Sequence, residues 1–218
     1  MRFNQPWVNP LLLLLLGSVS VLFGVMQMSL LGQGEAGMQN EMATAHYFSM
    51  PIPIVIHILT GCLFNLLMPL QFFKLFRARF PVAHRYIGRG LVVCILAFGL
   101  SGLWMNHLYP QYGGVAKYTG IVAMCAVLII SMALAVIAIR RGDVTAHRIW
   151  MMRATAAALS PATQRIIILP AFAVFGQSVM TDWIIGGLIW LGLIINLLFV
   201  ERLVYKERQL TEPDLVAT

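Results

Sequence analysis

Acidic residues are scarce in this chain. There are eight among 218 residues: Glu35, Glu41, Asp143, Asp182, Glu201, Glu207, Glu212 and Asp214. None lies inside a long apolar run, which argues against the mid-membrane carboxylate relays of ion-coupled pumps and transporters. Cysteine is sparser still. Cys62, Cys94 and Cys125 all fall within apolar stretches, so no disulfide framework is implied and each is expected to pack as a small buried hydrophobe. The chain contains no GxGxxG, P-loop, HExxH or serine-centred triad pattern. It also lacks a polar segment long enough for a soluble domain. The longest non-apolar pieces are Gly32 to Met50 and the tail from Glu201 to Thr218, and the tail reads as a frayed, solvated end.

What the chain has instead is apolar length. It is 60% hydrophobic and 11% charged, with a mean hydropathy of +0.83, far more apolar than soluble domains. A hydrocarbon core of roughly 30 Å needs about 20 helical residues. Six stretches meet that length, near Pro10 to Leu31, Pro51 to Phe73, Gly88 to Leu108, Tyr118 to Ile139, Trp150 to Phe175 and Trp183 to Val200. The first exceeds a typical signal-peptide core and no small-x-small cleavage site is obvious after it, so it is read as a retained span. The fold class is therefore all-α integral membrane, one polytopic domain over residues 1–218.

The net charge of +7 orients the protein. Thirteen of the fifteen Lys and Arg fall at Arg2, between spans two and three, between spans four and five, or after span six. Six-span threading puts all of these on one side, and the positive-inside rule makes that side, with both termini, cytoplasmic. The expected partners are the bilayer and anionic lipid headgroups, with no nucleic acid, and the expected location is a bacterial inner membrane.

A motif recurs where two hairpins turn. Arg77 and Ala83-His84-Arg85 return as Arg140 and Ala146-His147-Arg148, each 63 residues later, whereas Arg89 returns as Arg153 after 64. This predicts a duplicated helix pair, residues 51–113 and 114–176, forming a four-helix core of spans two to five with spans one and six on its flanks. Gly99, Ser101 and Gly102, and the run Ala154 to Ala158, are candidate close-contact faces. Ser160-Pro161 should loosen span five.

Several residues could carry chemistry. Arg165 lies twelve residues beyond Arg153, roughly 18 Å along a helix, and has no intramembrane carboxylate to pair with. A buried arginine is costly and usually faces a partner or a water-filled cavity; the plainer alternative is a structural arginine capping backbone beside Pro161 and Pro170. His57 and His107 fall at similar depth in spans two and three, so a polar cluster of His57, His107 and Arg165 is geometrically allowed. Each histidine could equally make a single interhelical hydrogen bond. His84 and His147, with Arg85, Arg148 and Arg153, stand at helix starts whose backbone donors suit phosphates, carboxylates or haem propionates, unless they only anchor the interface. Met26, Met28, Met38, Met42 and Met50 with His46 include soft donors suited to Cu(I), but without a tight metal spacing.

Taken together, these residues resemble a bacterial predicted integral-membrane family, domain of unknown function 2306, over about His57 to Pro170. The resemblance rests on His57 with Gly61, Pro69 and Gln71, His84-Arg85 with Gly88-Arg89, Ser101-Gly102, Arg141-Gly142-Asp143, His147-Arg148 with Trp150-Met151 and Arg153, and Arg165. It implies the multi-span architecture and no particular activity. Family members often carry aromatics along the fourth span, where Gly120 to Ile130 has none.

Three functions are compatible with this pattern. One is binding of haem b or a quinone for membrane redox chemistry, by analogy with the four-helix cytochrome b561 arrangement. Neighbouring helices lie about 8 to 10 Å apart, which is cramped for a haem clasped by His57 and His107; His84 with His147 would suit it better. The second is a transporter or lipid-handling protein with Arg165 at its site. The third is a non-catalytic scaffold or assembly factor.

Overall fold

The computed structural model describes residues 9–39, 45–109, 113–176 and 181–211. Arg2, Glu41, Met42, Glu212, Pro213 and Asp214 lie outside the described residues. The described helices are α1 (Pro10–Gly32), α2 (Glu35–Met38), α3 (Ala45–Ser49), α4 (Pro51–Phe72), α5 (Lys74–Arg79), α6 (Pro81–Leu108), α7 (Gly114–Arg140), α8 (Val144–Phe175) and α9 (Asp182–Thr211). Six of these, α1, α4, α6, α7, α8 and α9, are long and apolar enough to cross a membrane. The six expected spans are all present.

Local chemistry sets the helix ends. Asn9 caps α1, its side-chain oxygen accepting from the Leu11 N–H at 2.9 Å, and proline begins α1, α4 and α6, where a missing N–H costs nothing. Gly142 adopts φ +78° directly after α7, a conformation that favours glycine. Asp143 then caps α8 by accepting from the Ala146 N–H at 2.8 Å. The Arg141-Gly142-Asp143 segment is thus a stop and a start in three residues.

Four helices are longer than their apolar runs, α7 starting at Gly114 rather than near Tyr118. α6 begins at Pro81 rather than near Gly88, and α8 at Val144 rather than near Trp150, so His84 and His147 are each the fourth residue of a helix. α9 continues to Thr211, so the segment from Glu201 to Thr211 is helical rather than frayed. Its carboxylates explain the extension: Glu201 and Glu207 pair with Arg153 and Arg148 of α8.

The packing order follows from the contacts. α4 packs on α6, α6 on α7 and α7 on α8, while α1 packs on both α4 and α8 and α9 covers α7 and α8. The core joins Phe64, Met68, Leu91, Ile95, Leu128 and Met132 to Ala154, Ala157 and Ala158. Because lipid is as apolar as leucine, close backbone approach does much of the work of holding such helices together. Gly17 on α1 abuts the Asn65 backbone, Gly61 abuts the Phe98 ring, and Gly99 abuts Leu128 and Ile129. α8 remains helical through Pro161 and Pro170. The Ser160 hydroxyl donates to the Ala156 carbonyl at 3.0 Å.

Candidate functional site

Two ends of the bundle can be distinguished: a basic end, where α4, α5 and α6 meet and α7 turns into α8, and a far end carrying α3 and the start of α7. Toward the far end a cavity of about 390 Å³ lies among the long helices, within the range of small-molecule sites. His57 on α4 and Arg165 on α8 both line it. No Asp or Glu is among its described lining residues.

His57 is held rigidly. Its ring stacks on Phe98, with centroids 4.1 Å apart and planes 23° from parallel. Nδ1 lies 3.0 Å from the Phe98 carbonyl oxygen and 3.3 Å from Ser101 Oγ. The Ser101 hydroxyl donates to the same carbonyl at 3.0 Å. A carbonyl oxygen only accepts, so Nδ1 carries the proton and, in the neutral ring, Nε2 keeps the lone pair. Gly102 makes this placement possible, since a methyl group there would stand 3.3 Å from His57 Cε1. The Ser101-Gly102 pair and Gly61, which accommodates Phe98, together form the seat of His57.

Arg165 donates from Nη1 to the Pro161 carbonyl at 3.2 Å and lies over the Phe23 ring of α1 at 4.8 Å. The guanidinium therefore bridges the neighbouring helices α8 and α1. Asn65 and Ser20 also line the cavity, and Asn65 Oδ1 and Ser20 Oγ have no hydrogen-bond partner among the described residues.

The other residues singled out in the sequence are placed elsewhere. His107 is exposed, with Nδ1 3.4 Å from the Tyr118 hydroxyl, and does not line the cavity. His84 and His147 are near enough to interact electrostatically. His147 Nδ1 lies 2.8 Å from the Ala135 carbonyl, while His84 Nδ1 is buried with no hydrogen-bond partner among the described residues. Arg85 is exposed. Arg153 makes a bidentate pair with Glu201, Nε to Oε1 at 2.6 Å and Nη2 to Oε2 at 3.0 Å, and covers the Trp150 ring at 4.4 Å. Arg148 stands 3.5 Å from Glu207. At the basic end these two arginines join α8 to α9.

Some cavity and interhelical residues were not singled out in the sequence. Lys117, Asn106, Tyr47, Tyr109 and Gln27 line the cavity, and His46 joins Tyr47 and Tyr109 in an aromatic cluster at its rim, with centroids 5.0 and 4.8 Å away. Burial and the nearby Lys117 ammonium hold the His46 imidazole below its usual pKa. Asn196 of α9 accepts from the Thr163 hydroxyl at 2.9 Å and donates to the Ala156 carbonyl at 3.0 Å. Its signal was a lone amide in the apolar run Leu191 to Val200.

Among the described residues, no group of three or more His, Cys, Asp or Glu is arranged to hold a metal ion. His84 and His147, the pair better suited to a haem, do not line the cavity. No curated protein and no solved structure matches the chain. A family model described as predicted membrane protein, domain of unknown function 2306, matches residues 54–204, a segment that contains His57, both His-Arg blocks and Arg165 but not α1. The chain belongs to that family of predicted multi-pass membrane proteins.

Proposed function

We propose that this protein binds a small amphipathic molecule with an oxygen-rich or anionic head in the cavity between His57 and Arg165. The observation that carries the reading is an arginine and a histidine lining one cavity among the membrane-spanning helices, with no carboxylate among its described lining residues. A charge at this depth is expensive unless something answers it. Arg165 donates to the Pro161 carbonyl and lies over the Phe23 ring, and the five N–H groups of a guanidinium allow a ligand oxygen in the cavity to accept as well. The basic end faces the cytoplasm by the positive-inside rule, which puts the cavity in the outer half of a bacterial inner membrane. The recurring His-Arg entries to α6 and α8 support a duplicated hairpin, and the exposed arginines at that end suit anionic headgroups.

The test is thermal stabilisation of the purified protein by amphiphiles with different heads: laurate, lysophosphatidylglycerol and a decyl-substituted 1,4-benzoquinol. At least one is expected to raise Tm in a saturable manner in the wild type and to lose that effect in Arg165→Gln. Equal stabilisation of both proteins by all three, or none by any, overturns the reading.

A further inference from the structure

A second, smaller slot lies toward the basic end, on the surface of α8 between α1 and α9. Its volume is about 260 Å³, and it shares no described lining residue with the cavity of His57 and Arg165. α1 and α9 each pack on α8, and the slot is the space left between them. Leu12 of α1 and Phe199 of α9 line it while 44% and 52% exposed, so its mouth opens sideways, where a membrane-spanning bundle meets lipid. Met152, Thr155 and Leu159 of α8 form its floor and are buried.

The floor holds one polar atom that the protein does not answer. A serine or threonine hydroxyl inside a helix commonly donates to the carbonyl four residues back. Thr60, Thr119 and Ser160 do so, at 2.6, 2.8 and 3.0 Å. Thr155 is 3% exposed, and its hydroxyl has no hydrogen-bond partner among the described residues. The neighbouring amides are spent elsewhere: Asn9 accepts from the Leu11 N–H, and Asn196 joins Thr163 to the Ala156 carbonyl. An unmade hydrogen bond of this kind is costly. No charged residue is among the described lining residues, so the slot suits an apolar chain that carries a neutral acceptor oxygen.

Depth identifies the acceptor. Thr155 lies two residues beyond Arg153, about 3 Å further along α8, and Arg153 pairs with Glu201 where the apolar run of α9 ends. That is just inside the charged boundary of the bilayer, the level at which the esters of a phospholipid join its chains. We infer that the slot between α1 and α9 holds one acyl chain of a bilayer phospholipid, with the ester carbonyl of that chain accepting a hydrogen bond from the Thr155 hydroxyl. This site is independent of the cavity reading above and would stand if that reading failed.

The test compares dioleoylphosphatidylglycerol with its dialkyl ether analogue, which has the same head and chains but no carbonyl. Each is titrated onto the purified full chain in dodecyl maltoside, and the first bound lipid is followed by native mass spectrometry. The wild type is expected to bind the diacyl lipid about threefold to tenfold more tightly, the worth of one net hydrogen bond. Thr155→Val, which keeps the shape and removes the hydroxyl, is expected to bind both lipids alike, and Thr155→Ser to keep the preference. Leu12→Trp, at the exposed mouth, is expected to weaken both. The comparison of the two lipids on the wild type needs no variant to fold. Equal affinities in the wild type overturn the inference, because the slot then takes any alkyl chain. A preference that survives in Thr155→Val overturns it by placing the carbonyl elsewhere. Binding of neither lipid also overturns it, leaving the slot to another protein segment.

Discussion

Gly192 of α9 faces the Ser160 carbonyl of α8 so closely that a methyl group on Gly192 would stand 2.8 Å from that oxygen. The contact fixes where the last helix crosses α8, one residue before Pro161 and about one turn before Gln164. Backbone cannot turn aside as a flexible side chain can. Gly192→Ala is therefore expected to push α9 away and destabilise the protein by about 1 to 3 kcal/mol, the usual range for overpacking a well-fitted contact. Thermal or denaturant unfolding in detergent measures this. An unchanged midpoint would mean that the helices are not seated this closely.

Asn196 reinforces the same crossing with two hydrogen bonds, one from Thr163 and one to the Ala156 carbonyl. Interhelical hydrogen bonds in membrane proteins average about 0.6 kcal/mol each, so Asn196→Leu is expected to cost roughly 1 kcal/mol. Thr163→Val removes one of the two and should cost about half as much. Because both substitutions remove the Thr163 bond, the double variant should lose less than the sum. A double-mutant cycle on unfolding free energy checks this, and strict additivity would exclude the bond.

How much of this was legible beforehand differs by residue. The six spans, their order and the basic end followed from apolar length and from the position of each arginine, because bilayer thickness and the cost of a charge in lipid are global constraints. Arg165 was visible for the same reason, as a charge where none is cheap. The ends of α6, α8 and α9 were not, since they extend past the apolar runs on the strength of Pro81, the Asp143 cap and the pairs to Glu201 and Glu207. Residues 57 and 107 looked alike by depth; only the helix faces separate them, with His57 turned onto Phe98 and the exposed His107 onto Tyr118. Arg148 and Arg153 read as ligand contacts because their carboxylate partners lay in what looked like a solvated tail. The cavity itself depends on α1, whose Phe23, Ser20 and Gln27 meet the other helices at positions that no local pattern reveals.

Arg153 and Glu201 give a prediction about chemistry rather than charge alone. Their two parallel hydrogen bonds need the planar fork of arginine. Arg153→Lys keeps the charge and loses the fork, along with most of the stacking on Trp150. The side chains are partly exposed, so the cost is expected to be modest, about 0.5 to 1 kcal/mol. Lysine should recover less than half of what Arg153→Ala loses in Tm. Full recovery by lysine would show that a point charge is enough.

His46 supplies the pH dependence. Its imidazole is held below the ordinary pKa by burial first and by the Lys117 ammonium second, and it packs on Tyr47 and Tyr109, the latter donating its hydroxyl hydrogen to the Met50 carbonyl at 2.7 Å. In the unfolded chain the imidazole titrates near its ordinary value of about 6.5. Below that value the unfolded state binds more protons than the folded one, so the His46 contribution is fully present above about pH 6.5 and is lost as pH falls through the lowered folded pKa. Other groups also titrate in this range, so the readout is a difference. Wild type and His46→Phe, which keeps an aromatic ring and removes the proton site, are compared at pH 7.5 and pH 5. The wild type is expected to lose more Tm between the two than the variant does, and that gap should narrow in Lys117→Met, which takes away the repelling charge. Identical pH slopes in wild type and His46→Phe would show that α3 does not hold this histidine in its neutral form.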